Sequence, residues 1–161
     1  MIRHAGLMAA REDGRWRGVL IEGPSGCGKS DLALRLLDHG FRLVADDRTL
    51  VWACEGRVFG RAPDRLAGLI EVRGLDVIAV PALHFCEVAL VVRCGPAERI
   101  PEADWEEVAG LSLPALTLPP LEASAPAKLR RALQHLGQVA EGAYQTRRVA
   151  RSLPRPGGDS R

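Results

Sequence analysis

Residues 23–30, GPSGCGKS, have the residue types and spacing of a phosphate-binding loop. Gly23, Gly28, Lys29 and Ser30 meet the full G-x-x-x-x-G-K-S pattern, with a further glycine at Gly26. Glycines let the backbone wrap so that successive N–H groups face inward, and a helix that follows adds the positive end of its dipole. Lys29 is then the candidate to neutralise β and γ oxygens, and Ser30 to ligate Mg²⁺ through its hydroxyl. Pro24, Ser25 and Cys27 complete the loop. For Cys27 the residue type alone predicts a small filler at a permissive position.

Two more groups could do chemistry. Asp46 and Asp47 end FRLVADD, where a strand beside the first strand-to-helix turn would gather ligands. One could orient Mg²⁺ or its water and the other take a proton from an attacking hydroxyl; alternatively the pair only begins a turn. In LIEVRGLDVIAV, residues 69–80, Glu71, Arg73 and Gly74 interrupt an apolar run. Charge half-buried in such a run needs a metal, a phosphate or a partner, and the i, i+2 spacing puts Glu71 and Arg73 on one face of a strand, where they could also pair with each other.

The elements that must position these residues follow from periodicity. GVLIE, residues 18–22, is an apolar run leading into the loop. In SDLALRLLDHG, Leu32, Ala33, Leu36 and Leu37 form one helical face that Gly40 closes, and FRLVADD is the next strand, which predicts a parallel βαβ unit. Upstream, HAGLMAA and RWRGVLIE flank Glu12-Asp13-Gly14 as a hairpin. TLVWAC, RVF, LIEV, DVIAV and EVALVVR read as strands, with turns at Glu55-Gly56 and Arg73-Gly74. PEADWEEVAG is predicted as a short helix begun by Pro101, LSLPALTLPP as an extended segment broken by proline, and APAKLRRALQHLG as a helix with Leu129, Leu133 and Leu136 on one side and a Gly137 cap. Helices are too few to cover both faces of a long parallel sheet, so the expected fold is α/β with a mixed sheet.

Length and composition narrow the class. A chain of 161 residues suits one domain, expected over 1–151, with a disordered tail at 152–161. No apolar run is long enough to span a bilayer and the first residues have no signal-peptide pattern, so a cytoplasmic location is expected. Cys27, Cys54, Cys86 and Cys94 show no C-x-x-C spacing, and free, mostly buried thiols are expected. Net charge is +2, but the last part is basic; it is read as a solvated helix face and frayed terminus, with no nucleic-acid or membrane partner.

Taken together, RGVLIEGPSGCGKSDLALRLL, RLVADD and above all IEVRGLDVIAV resemble the catalytic domain of HPr kinase/phosphorylase in its short alphaproteobacterial form, from about His4 to at least Arg99. The resemblance implies the HPr kinase / phosphoenolpyruvate-carboxykinase type of P-loop fold and a serine kinase acting on HPr, the phosphocarrier of the phosphotransferase system, or its nitrogen-related paralogue. It implies ATP on Gly23–Ser30, with Lys29 on its phosphates, and Mg²⁺ on Ser30 and Glu71. Asp47 corresponds to the general base for the receiving serine, with Asp46 in support, His4 to an assisting histidine and Arg99 to a phosphate-stabilising arginine. Glu71, Val72, Arg73 and Gly74 are the centre of the signature segment. The resemblance also implies a homo-oligomer, a hexamer.

The chain departs from the longer members in having His4 almost at its start and LPPLEASAPAKLRRAL where they carry a glycine- and arginine-containing loop that serves dephosphorylation. Phosphorylase activity is therefore in doubt. Two other readings stay open: a small-molecule kinase of the nucleoside- or shikimate-kinase type, which needs an arginine-rich helical lid, and an ATP-binding regulator without catalysis.

Overall fold

The computed structural model describes residues 1–136; Gly137 and the segment 152–161 lie outside the described residues, as does the expected domain boundary at 151. Strands β1 (Ile2–Arg3), β2 (Ala5–Glu12) and β3 (Arg15–Glu22) open the chain. The β2–β3 turn has positive φ at both Asp13 (50°) and Gly14 (76°), the backbone twist that suits a two-residue hairpin. Glu55 (50°) and Gly56 (74°) turn β5 (Thr49–Cys54) into β6 (Arg57–Arg61) in the same way.

After the glycine-rich loop, α1 (Lys29–Leu37) buries Leu32, Ala33 and Leu36, with Leu37 packed at the margin. Its end leads through Gly40 (φ 81°) into β4 (Phe41–Ala45). The expected βαβ unit has β3 and β4 running the same way, but they are not neighbours. β2 lies between them, antiparallel to both, because the hairpin partner has already taken the edge of β3.

The main sheet runs β1-β5-β6-β9-β3-β2-β4, where β9 is Cys86–Cys94. Along its other edge β9 pairs antiparallel with β6 at its start and parallel with β11 (Leu111–Leu118) toward its end, and β10 (Asp104–Val108) closes the sheet beyond β11. β7 (Leu69–Val72) and β8 (Asp76–Ala79) form a separate hairpin. This is a mixed α/β fold with a large sheet and few helices.

PEADWEEVAG is a strand rather than the expected helix. It pairs through Ala109 (φ 50°) and Gly110 (φ 82°) with LSLPALTL, which is itself a full strand. Arg93 of β9 bonds Asp104 and Glu106, two residues apart and thus on one face of a strand. Pro114 is tolerated inside β11 because the ladder to β9 begins only at Ala115.

Two cores lie on either side of the sheet. On one face α1 and α2 (125–136) set Leu32, Leu36, Leu129 and Leu133 on Met8, Ile21 and Val92. On the other, Leu7, Leu20 and Val91 are covered by Val51 and Val58 of the β5–β6 hairpin and by Val108 and Leu113 of the β10–β11 hairpin. With only two helices among the described residues, the sheet curls its own outer hairpins over its second face. Arg130 of α2 is not a solvated charge: it bonds Glu12 at 2.8 Å and the His39 carbonyl at 3.0 Å, and lies over the Phe41 ring.

The cysteines divide. Cys86 is buried, which pushes its thiol well above the ordinary range, whereas Cys54, expected to be covered, is exposed at the hairpin tip beside Glu55. Opposite Gly18, β9 carries one extra residue, Ala89, so the two strands shift register there. A Cβ on Gly18 would lie 2.7 Å from Cys86 Sγ, 2.8 Å from Leu7 Cδ1 and 2.9 Å from the Glu87 carbonyl oxygen. Gly18→Ala is therefore expected to cost about 1–3 kcal/mol through overpacking, read from the urea midpoint; an unchanged midpoint would show that this contact relaxes freely.

Candidate active site

The end of β3 and the start of α1 frame a cleft of about 740 Å³. Gly23, Ser25, Gly26, Gly28, Lys29 and Ser30 of the loop line it together with His4, Asp47, Glu71, Val72 and Arg73. Gly26 (φ 80°) and Gly28 (φ 106°) hold backbone conformations that side chains rarely adopt. Gly28 caps α1 with no side-chain bond to the first turn, leaving helix N–H groups available at the cleft. Lys29 Nζ donates to the carbonyl oxygens of Gly23 at 2.6 Å and Pro24 at 3.1 Å, so the cation is folded back on its own loop.

Beyond β4 the chain makes a three-residue turn, with the Arg48 N–H donating to the Asp46 carbonyl at 2.7 Å. Asp47 at its centre has φ 63°, a rare and strained arrangement that exposes its carboxylate to the cleft. The neighbouring Asp46 is half-buried and its Oδ2 accepts the Glu71 backbone N–H at 2.9 Å, which ties the β7–β8 hairpin to this turn. Burial raises the Asp46 carboxyl above the ordinary aspartate range; the Glu71 N–H opposes this, and the charges of Asp47 and Glu71 add to it.

Glu71 is in β7 and Arg73 in the turn that follows it; both are exposed and line the cleft rather than being half-buried, and among the described residues no ion pair joins them. Arg99 lies in the exposed segment after β9 and does not line the cleft; the guanidinium there is that of Arg73. Gly74 (φ 84°) makes the β7–β8 turn.

Leu34, Asp31 and Leu121 also line the cleft, and the sequence pattern did not single them out. Leu121 reaches Gly28 because Arg35 of α1 donates to the carbonyls of Pro120 and Glu122, drawing the turn after β11 across the helix start. No spacing rule links residue 121 to residue 28.

Hydroxyl and carboxylate oxygens from Ser30 and Glu71 are the hard donors that Mg²⁺ takes, and the acidic charge gathered around Asp46 favours a cation. Among the described residues no cluster of three or more His, Cys, Asp or Glu forms a closed metal site. Such an open donor set suits Mg²⁺, which keeps waters and borrows phosphate oxygens.

Asp46 gives the cleft a pH signature. Its folded-state pKa lies above the unfolded value, so ionising it costs stability that is lost as pH rises through that raised value. Asp46→Asn, which can still accept the Glu71 N–H, should gain stability relative to the parent between about pH 4 and about pH 7. Urea midpoints at the two pH values test this, and a constant difference between the two proteins would refute it.

Residues 14–90 match the model for the HPr Serine kinase C-terminal domain. The HPr kinase/phosphorylase of Clostridium tetani (strain Massachusetts / E88) is 49% identical over 67 residues, covering 42% of this chain and 22% of that protein. The HPr kinase/phosphorylase of Clostridium acetobutylicum is 48% identical over the same length, with the same coverage. The match thus spans about a fifth of the length of these curated relatives. The solved Hpr(Ser) kinase/phosphatase from Coxiella burnetii superposes with a TM-score of 0.74 at 24% identity, covering 92% of this chain and 98% of that one, a likeness of fold. Among the described residues no helix is long and apolar enough to cross a membrane.

Proposed function

We propose, from the match of residues 14–90 to the HPr Serine kinase C-terminal domain, that this chain is an ATP- and Mg²⁺-dependent kinase that phosphorylates a serine of an HPr-type phosphocarrier protein or its nitrogen-related paralogue. The observation that carries the reading is the convergence on one cleft of a glycine-rich loop, its lysine and an exposed, strained carboxylate at Asp47.

In this mechanism the ATP phosphates lie on the backbone N–H groups of residues 23–30 and the open first turn of α1. Lys29 leaves the Gly23 and Pro24 carbonyls for the phosphate oxygens, a change its flexible stem allows. Ser30 and Glu71 would hold Mg²⁺, which supplies neutralisation of phosphate charge. Asp47 takes the proton from the serine hydroxyl as the γ-phosphoryl group moves in line, and His4 and Arg73 face the same space. Asp46 is a positioning residue that holds Glu71 and Asp47 in one frame. LPPLEASAPAKLRRAL forms the turn beside Gly28 and most of α2. Residues 49–93 fold as strands and one 3-10 turn, which leaves no helical lid in that stretch of the kind a small-molecule kinase closes over its substrates.

Labelled ATP with purified HPr tests the reading: label on an HPr serine supports it, and label on a small metabolite or on nothing defeats it. Asp47→Asn should keep ATP affinity within about threefold and lower transfer by about 10²- to 10⁴-fold. Transfer at the parent rate would remove Asp47 from the role.

A further inference from the structure

Two thiols meet at the root of the loop. β9 runs parallel to β3 with Glu22 level with Arg93, so Cys94 arrives level with Gly23, the first loop residue. The loop turns back on itself through the Cys27 N–H, which donates to the Pro24 carbonyl at 3.2 Å. That turn brings Cys27 to the same point: a Cβ on Gly23 would lie 2.8 Å from Cys27 Sγ and 2.9 Å from Cys94 Cβ. Cys94 and Cys27 are close enough to share a thiol–thiol hydrogen bond, and both are free. Cys54 and Cys86 have no such partner among the described cysteines, since one is exposed at a hairpin tip and the other buried under Gly18.

We infer that Cys27 and Cys94 are a redox-sensitive pair whose oxidation to a disulfide fastens the phosphate loop to β9 and closes the site to nucleotide. The regulatory half of this inference rests on the reading of the loop as an ATP site. With hydrogen peroxide as oxidant, the Cys27 sulfur attacks one peroxide oxygen, the O–O bond breaks, and a sulfenic acid and one water form. The Cys94 sulfur then displaces the sulfenic hydroxyl, which leaves as a second water with the remaining thiol proton. Two electrons pass from the pair to the peroxide. Burial, with Cys27 beside it, pushes the Cys94 thiol up to about 12, which disfavours Cys94 as the thiol that meets peroxide first.

The consequence for binding is geometric. A disulfide holds its sulfurs about 2.05 Å apart, closer than two thiols in contact, so forming it draws the Cys27 and Cys94 positions together. β9 is buried on both faces through Leu90, Val91 and Val92 and has strands along both edges. The loop is the part that yields, and its N–H groups lose their common focus.

The experiment uses the whole protein, reduced and then treated with hydrogen peroxide. Mass spectrometry should find one species lighter by two hydrogens, with the Cys27 and Cys94 peptides joined. ATP affinity should fall by about tenfold or more and return with dithiothreitol. Cys94→Ser should keep its affinity under the same oxidant, and Cys54→Ser should respond like the parent, which separates this bridge from cross-linking between exposed thiols. Separate alkylation of Cys27 and Cys94 after oxidation, or a bridge that leaves ATP affinity unchanged, would overturn the inference. A reduced protein that binds no ATP would instead sink the nucleotide reading and the regulatory half with it, while the mass measurement still decides the bridge.

Discussion

Everything at the cleft depends on β3 being locked between two strands while its last residue is the end of regular structure. β3 pairs with β2 along its full length and with β9 from Arg17 to Glu22, and Val19, Leu20 and Ile21 are buried on alternating faces. Its position is therefore fixed by apolar burial from both sides, each such side chain contributing roughly 1.5–3 kcal/mol. The chain leaves the sheet at Glu22 with no freedom in direction and returns within a few residues as α1, whose apolar stripe must dock on the same sheet. A loop confined at both ends in this way can keep left-handed glycines and unbonded N–H groups that an unconstrained loop would relax.

The far side of the cleft uses a different kind of constraint. β7 and β8 form only a two-stranded hairpin, marginal by itself, held by buried Ile70 and by the Asp46 carboxylate on the Glu71 N–H. The same Asp46 is the first residue of the strained turn at Asp47. A half-buried carboxylate that is raised by burial, and further raised by two like charges, is an expensive way to join two segments. A neutral amide could make the same bond. A cation in the same space would offset that cost.

Much of this was legible in the sequence, for identifiable reasons. β2, β3, α1 and β4 have strong periodicity and turn signals at Asp13-Gly14 and Gly40. The β10–β11 hairpin was missed because its turn is Ala109-Gly110, with no asparagine or aspartate to advertise positive φ, and because Pro101 and three glutamates favour a helical reading. What overrode local preference was tertiary: a free edge on β9 and the Arg93 guanidinium positioned for alternate acids. The neighbourhood of Arg130 was hidden for the same reason, since Glu12 lies more than a hundred residues away in sequence. Arg99 matched a short pattern, and the position of a short pattern in an exposed segment says nothing of which way the segment runs.

The ion network at the root of β3 completes the picture. Arg3, one residue before His4, bonds Glu22 and Glu106, and Arg93 bonds Glu106 from the other side. Glu106 is held below the ordinary carboxylate range, chiefly by the Arg93 hydrogen bond working against burial and then by Arg3. These pairs are half-exposed, so their worth in stability is modest. Their effect is positional: they join β1, β3, β9 and β10 at the level of Glu22 and Arg93, one residue before Gly23 and Cys94. Ordered charge thus ends where the loop begins. Past that line, among the described residues, Lys29 is the charged side chain bonded to the loop, and its partners are the Gly23 and Pro24 carbonyls. A rigid root and a loop whose cation is held only by replaceable partners are what a site needs if it is to keep its shape and still close on a polyphosphate.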